Sequence, residues 1–576
     1  MRSPIVVRAL LVLILWPAIP AFPEDFHWVR QMGGATSDRA FGVVLDKNDN
    51  VYTCGAFSGT ADFDPGPGTF NLVSTGGDVF ISKLDREGRF LWAGQFGGGG
   101  TTGVVGGSIA VDVADNLFIA GQFSGTTDFD PGPGTFLLTP EGIRGAFIVK
   151  LDSAGSLVWA RQFAGTGLVA AAAVRAHLNS VIVVGYFANT IDFDPGPGTL
   201  NFTSLSVDQD DAFVASLDSA GNLVWAGQVG GPDDDRIQDV VVDAGGSLYA
   251  VGRAGNNVDF DPGPGVYSLS PLGFVLKLDR AGNFVWVRKI AELTFTEAWS
   301  VALDGAGNVY TVGGFTTSGD FDPGPGTFSL TSAGSFDGFV SKLDGAGNFL
   351  WAARVGGTGF DNGLDIAVDA IGNIFLSGPF SGTADFDPGP GTFNLTSAGS
   401  GDGFAAKFDP AGHLRWAAPL GGALSDSAGD LALDSDQNVY VAGYFLETAD
   451  FDPGPNTASL TSTGSTDAYL WKYGSCDIRL QGNAPTTIGF SPDSASVSFN
   501  VVSGLLSGLR ATNDFSAATC LGTFSANPAT DESMPPLGDA FYYLARGLSV
   551  CAADGYGDST LDPDPRDALD LAGPCP

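Results

Sequence analysis

The stretch Asp62-Phe63-Asp64-Pro65-Gly66-Pro67 decides the fold, because the same six residues return six more times. They start again at Asp128, Asp192, Asp259, Asp320, Asp385 and Asp450, at intervals of 61 to 67 residues. Self-similarity at a fixed period marks a repeat architecture. With strands averaging about 5–6 residues, this period has room for four of them. Around the first copy, the apolar run 41–45 leads through the turn 46–50 into a second run at 51–57. Beyond the loop come a third run at 78–84, a turn at 85–88 and a fourth run at 90–96. β-Branched and aromatic runs bounded by Asp, Asn and Gly are hairpin signals, and no helical periodicity competes with them. Four-stranded units repeated radially make a β-propeller.

The ends of the array extend this reading. The seventh unit supplies 467–473 and then stops without a fourth strand. Phe26-His-Trp-Val-Arg-Gln-Met-Gly-Gly34 near the N-terminus matches Phe90-Leu-Trp-Ala-Gly-Gln-Phe-Gly-Gly98 in register. The expected fold is therefore all-β: a seven-bladed β-propeller over residues 26–474, closed by its N-terminal strand so that no sheet edge stays exposed. Asn438-Val-Tyr-Val-Ala-Gly-Tyr444, the Phe-Asp-Pro-Gly-Pro-Gly-Thr-Phe loops and Asp337-Gly-Phe-Val-Ser-Lys-Leu-Asp344 resemble the SBBP propeller repeats of exported bacterial proteins. That resemblance implies a propeller and an exported setting. It implies no activity, because a fold alone does not assign one.

Residues 1–21 read as a signal peptide: Arg2 and Arg8, an apolar run over 9–16, then small Ala18 and Ala21. The run is shorter than the roughly 20 residues that span a bilayer, so no membrane insertion is expected. The expected location is secreted, periplasmic or cell-surface after bacterial-type export. The chain has 27 basic and 64 acidic residues, a net charge of −37. Cleavage after residue 21 removes two of the basic ones. Such a field excludes nucleic acid as a partner, since phosphate binding needs clustered Lys and Arg. It also keeps a large exported protein soluble.

Fixed positions in the repeat carry most candidate chemistry. Trp28, Trp92, Trp159, Trp225, Trp286, Trp351 and Trp416 share one site, where a large aromatic packs between blades. The surrounding Lys-Leu-Asp-x-Ala-Gly-Asn-x-x-Trp pattern loosely resembles quinoprotein dehydrogenase repeats, but no set of cofactor ligands accompanies it. Asp46, Asp112, Asp243, Asp304, Asp369 and Asp434 open the first turn, with Ala176 breaking the series. Asp85, Asp152, Asp218, Asp279, Asp344 and Asp409 open the second; a turn-opening Asp bonds its own backbone two residues on.

The acidic loops offer carboxylate pairs at Asp62 and Asp64, Asp128 and Asp130, Asp192 and Asp194, Asp259 and Asp261, Asp320 and Asp322, Asp385 and Asp387, and Asp450 and Asp452. In an extended segment, residues i and i+2 point the same way. Each pair could thus offer calcium two of the roughly 6–8 oxygens it takes, with the Phe between them as an anchor. The other reading is a rigid loop whose Asp side chains cap local N–H groups. These loops, the Gly-Gly connections, 208–211 and 233–235 are expected on one rim, the candidate interaction surface. Asp78, Asp211, Asp337, Asp402 and Asp467 are expected to cap third strands.

His27, His177 and His413 lie in different blades, and Cys54 reads as a buried thiol. No catalytic constellation stands out. The expected function is an exported, monomeric, non-catalytic binding, adhesion or scaffold protein that recognises protein or glycan at the acidic rim, with no cofactor except calcium. A polysaccharide-active or quinone-dependent enzyme working in the central channel is the alternative. A structural cell-envelope component is another. Channel residues that break the repeat favour the enzyme, and near-identical loops favour binding.

Residues 475–576 change composition and hold Cys476, Cys520, Cys551 and Cys575. In an exported chain these are expected to form disulfides, with three connectivities open. Proximity in sequence favours Cys476–Cys520 with Cys551–Cys575. Strands are expected at 496–502, 507–512 and 540–546, enough for a small sandwich. The segment 541–547 and Gly555-Tyr-Gly557 resemble a degenerate fibronectin type III module.

Overall fold

The computed structural model describes residues 24–98, 105–291 and 295–475, and beyond them five short strands. Phe26–Gly474 forms one compact unit. It is all-β, made of successive antiparallel sheets with no helix among the described residues, and is consistent with a β-propeller.

Each unit is a meander. In the fifth, Thr296–Leu303, Val309–Phe315, Asp337–Leu343 and Phe349–Gly357 pair in sequence order, each antiparallel to the last. The second strand is buried at every position and the third at all but one. Both are covered on two faces, which is why they read as continuous apolar runs rather than as alternating ones. The fourth strand is the outer one, and most of its positions are half-buried, with Leu350 exposed. Arg39–Leu45, the first strand of the first unit, packs beside Val105–Val111 on one side and Ser427–Leu433 on the other. The N-terminal strand Glu24–Gly34 lies next to Asp467–Ser475 in its sheet.

Turn chemistry is local. Asp46 Oδ1 accepts the N–H groups of Asn48 and Asn50 at 2.9 and 3.0 Å. The same pair of bonds recurs at Asp304 and Asp434. The tryptophans then lock unit to unit. Trp159 Nε1 donates to Ser219 O in the next unit's second turn at 3.1 Å. Trp225 faces Gly282 in the same way, where a Cβ would come within 2.7 Å of the indole. Gly282 also has φ +83°, so both the close approach and the backbone require glycine there.

In the acidic loops the central Phe is the anchor. Phe63 is fully buried against Phe57 and Phe80, with ring centroids 5.3 and 4.8 Å away. Its loop lies across the outer strand of the preceding unit: Gly33 and Gly34 pair with Asp62 and Ala61, and Gly356 and Gly357 with Asp385 and Ala384. Loops and Gly-Gly connections therefore meet on one side.

After residue 475, Phe499–Leu505 lies between Thr519–Phe524 and Phe541–Gly547 in a three-stranded antiparallel sheet, and Thr486–Ile488 pairs with Ala529–Asp531. The strands expected at 496–502 and 540–546 correspond to two of these. The strand at 519–524, which carries Cys520, was not anticipated. The expected strand at 507–512, the signal segment and Cys476, Cys551 and Cys575 lie outside the described residues.

Candidate functional site: the cavity between the first strands

The first strands do not run evenly. Their pairing with the second strands skips one residue between Ala40 and Gly42, Ala171 and Ala173, Ile237 and Asp239, and Ala298 and Ser300. Each skip is a β-bulge, which leaves one residue unpaired and re-aims its side chain. The bulged residues Phe41, Ala172, Gln238 and Trp299 face a common cavity of about 580 Å³. At the end where first strands begin and second strands finish, the Arg39 guanidinium lies 4.6 Å from the Tyr444 ring centre and that of Arg236 lies 4.4 Å from Tyr186. That end is on the side of the acidic loops, because the second strands lead into them.

The residue after each bulge is an acid or a small residue. Asp239 Oδ1 accepts from Arg175 Nη2 at 2.6 Å. Ser300 Oγ sits 3.0 Å from Asp239 Oδ2 and 2.6 Å from Asp365 Oδ1. These groups also stitch neighbouring units through the backbone. Asp239 accepts from Val301 N at 3.1 Å, Asp365 from Leu431 N at 2.8 Å and Asp430 from Val43 N at 2.7 Å. Ser108 Oγ accepts from Val174 N at 3.3 Å in the same way. The Asp430 contact joins the last unit to the first.

Burial dominates the electrostatics. It pushes Asp430 far above the usual carboxylate range, and the neighbouring Asp365 carboxyl pushes it further. Burial raises Asp239 too, opposed by Arg175. For Arg175 burial works against the charge, but Asp239, Asp430 and Asp365 outweigh it and hold the guanidinium above its usual range. Arg175 stays 32% exposed to the cavity, while Asp239 is 7% exposed. The chemistry on offer is a mouth of aromatic rings, an amide and guanidinium groups above a floor of hydrogen-bonded carboxyls.

The sequence-predicted site residues lie elsewhere. Asp62 Oδ1 accepts from Asp64 N and Phe70 N at 3.0 and 2.8 Å, and Asp64 Oδ1 from Gly66 N at 2.8 Å. Asp128 and Asp130, Asp192 and Asp194, Asp259 and Asp261, Asp320 and Asp322, Asp385 and Asp387, and Asp450 and Asp452 repeat that geometry. Cys54 is a buried free thiol, and His413 Nδ1 lies 3.0 Å from Asp409 Oδ2. Arg175, Asp239, Ser300, Asp365 and Asp430 were missed. Their signal was present: four residues before the first-turn Asp, three units place an acid in an otherwise apolar strand. Arg175 likewise stands where other units have Val44, Ala110, Val241, Ala302, Ala367 and Ala432, a register that puts His177, and not Ala176, at the place of the first-turn Asp.

No family model matches the chain. It is similar to an uncharacterized WD repeat-containing protein of Acanthamoeba polyphaga mimivirus, 23% identical over 559 residues, covering 80% of this chain and 39% of the relative. A second similarity is to the regulatory protein FlaEY of Caulobacter vibrioides, 30% identical over 172 residues, 30% of this chain and 17% of that one. The chain thus spans well under half the length of either relative. Among solved structures, Sqt1 from Chaetomium thermophilum aligns over 78% of this chain and 99% of its own, at 12% identity and TM-score 0.37. A Bacteroides caccae protein of unknown function aligns over 43% and 69%, at 12% identity and TM-score 0.24. Its WD-repeat relative and its antiparallel sheets fit a repeat protein of propeller type.

Proposed function

We propose that the chain is a seven-bladed β-propeller closed by its N-terminal strand, and an exported, non-catalytic binding protein that takes a glycan or protein segment at the loop-side mouth of the cavity. Two features support closure: the hydrogen bond from Val43 N to Asp430 and the place of Glu24–Gly34 beside Asp467–Ser475. The observation that carries the binding reading is the set of bulged residues. Positions that serve the fold hold the same residue type in unit after unit, whereas Phe41, Ala172, Gln238 and Trp299 share a backbone role and differ completely. A concave site with aromatic walls and a few convergent polar groups suits such a ligand. WD-repeat similarity fits a scaffold or binding role with a protein partner. A second reading places calcium at the fourteen loop aspartates, through the oxygens that accept no backbone N–H; loss of calcium binding in Asp64→Asn would support it.

The test is a glycan array on the full chain, followed by fluorescence titration of each hit. Trp299→Ala is expected to weaken binding at least tenfold with little change in melting temperature. Unchanged affinity would move the site to the outer loops. The enzyme reading draws on Asp365 and Asp430, two of the three acids that line the cavity. Their carboxyls share a hydrogen bond, closer than the roughly 5 Å or more that flanks a scissile glycosidic bond. Release of reducing ends from polysaccharide, abolished by Asp430→Asn, would reverse that judgement.

A further inference from the structure

Four junctions between units share a feature that the loops do not explain. An aspartate at the start of a third strand faces a second one in the next connection, which reads Gly-Gly-x-x-x-Asp. The pairs are Asp467 with Asp38, Asp211 with Asp235, Asp337 with Asp361 and Asp402 with Asp426. None of the eight is more than 2% exposed. Two of the second aspartates are satisfied at both oxygens: Asp426 accepts from Gly422 N and Leu446 N at 2.6 and 2.8 Å, and Asp38 from Gly34 N and Ser58 N at 2.7 and 3.2 Å. Asp235 accepts from Gly255 N at Oδ1, 2.8 Å away, and its Oδ2 is buried without a partner.

At three junctions the first aspartate is satisfied at one oxygen only. Oδ2 of Asp467, Asp211 and Asp402 accepts from Thr463 N, Leu205 N and Ala398 N. Oδ1 of all three is buried with no hydrogen-bond partner. A buried acceptor left unpaired is costly, and an unpaired charge more so. The two carboxyls of a pair line one small space. A Cβ on Gly421 would lie 2.8 Å from Asp426 Oδ2 and 2.9 Å from Asp402 Cγ, so glycine keeps that space open.

The fourth junction shows what is missing from the others. There Arg354 Nη1 donates to Asp337 Oδ2 at 2.6 Å and Ser332 Oγ to Oδ1 at 3.0 Å. No Asp337 oxygen is orphaned. Arg354 stands two residues before its Gly-Gly pair, where the other three junctions have Gln31, Gln228 and Pro419. One junction therefore carries its own cation and three do not.

We propose that the junctions Asp467/Asp38, Asp211/Asp235 and Asp402/Asp426 each bind a divalent cation of the calcium class, which supplies the counter-charge that Arg354 supplies to Asp337 and Asp361 at the fourth. Among the described residues no cluster of three or more Asp, Glu, His or Cys side chains is close enough to hold a metal alone. Two carboxylates per site, completed by backbone carbonyls and water, fit a hard cation that takes oxygen ligands flexibly, and do not fit zinc. Burial raises Asp38, Asp211 and Asp402 to about 6 and Asp235 to about 7, so a proton competes for the same space at acid pH.

The test is calorimetric titration of the full chain with calcium chloride at pH 7.5, with melting followed in parallel. The expected result is about three sites and a rise in melting temperature on the order of 5 °C at saturation. Asp402→Asn is expected to remove one site and Asp64→Asn none. Gln228→Arg, which copies the Arg354 arrangement, is expected to remove one site and raise the calcium-free melting temperature, so the result does not depend on a variant that folds poorly. No heat with millimolar calcium, magnesium or manganese would overturn the proposal. So would binding that survives Asp211→Asn, Asp402→Asn and Asp467→Asn together, because the ions would then sit in the outer loops.

Discussion

The outer loops and the cavity-lining strands belong to the same repeat, yet they obey opposite rules. Every outer loop carries Asp-Phe-Asp-Pro-Gly-Pro, and the hydrogen bonds of its carboxylates stay within the loop. The first strands that bulge at Phe41, Ala172, Gln238 and Trp299 share little else, and Asp239, Asp365 and Asp430 bond to the neighbouring unit. A loop that closes on itself meets the same surroundings in every unit, so the same residues satisfy it each time. A side chain in the cavity meets partners from other units, and one arginine, Arg175, serves three carboxyls.

The largest expected effect tests the loop side. Phe386→Ala removes a fully buried ring from a packed cluster, and a loss of about 3–5 kcal/mol is expected in urea unfolding. Phe41→Ala, at a bulge facing the cavity, should cost less than about 1 kcal/mol. Equal losses would erase the distinction. Next, Arg175→Met leaves Asp239 without its counter-charge. Breaking a fully buried pair costs about 3–5 kcal/mol, and the cavity access of Arg175 reduces the expectation to about 2 kcal/mol. A neutral result would mean that Asp239 simply takes up a proton.

Acidity should separate the two regions with a smaller change. Burial raises Asp38, Asp211, Asp361 and Asp402 to about 6 and Asp235 to about 7, so the folded chain binds these protons more tightly than the unfolded one. In calcium-free buffer the melting temperature should therefore rise by a few degrees as pH falls from 7.5 towards 4.5. The turn aspartates Asp46, Asp304 and Asp409 carry the opposite sign. Their folded-state values lie below normal because N–H groups and side chains outweigh burial, so stability should fall again below pH 3.8. A melting temperature that falls steadily from pH 7.5 would contradict the buried pairs. The smallest effect belongs to a single loop cap: Asp62→Ala frees the N–H groups of Asp64 and Phe70, for about 1 kcal/mol by thermal melting.

Repetition made the strands, the turns and the Phe and Trp anchors legible in the sequence, because each is satisfied within one unit or by the identical next one. The turn aspartates needed only their own backbone, as at Asp46 and Asn50. The three central acids were visible as letters but had no partners within reach along the chain: Asp430 meets Val43 across 387 residues. The same holds for Asp467 and Asp38, which face each other only because the last unit lies against the first. Local periodicity thus determined the elements and their order. Only the tertiary structure decided which carboxylates share a space, and therefore which are capped, which hold a proton and which lack a cation, because Coulomb energy and burial depend on distance in space and not on distance along the chain.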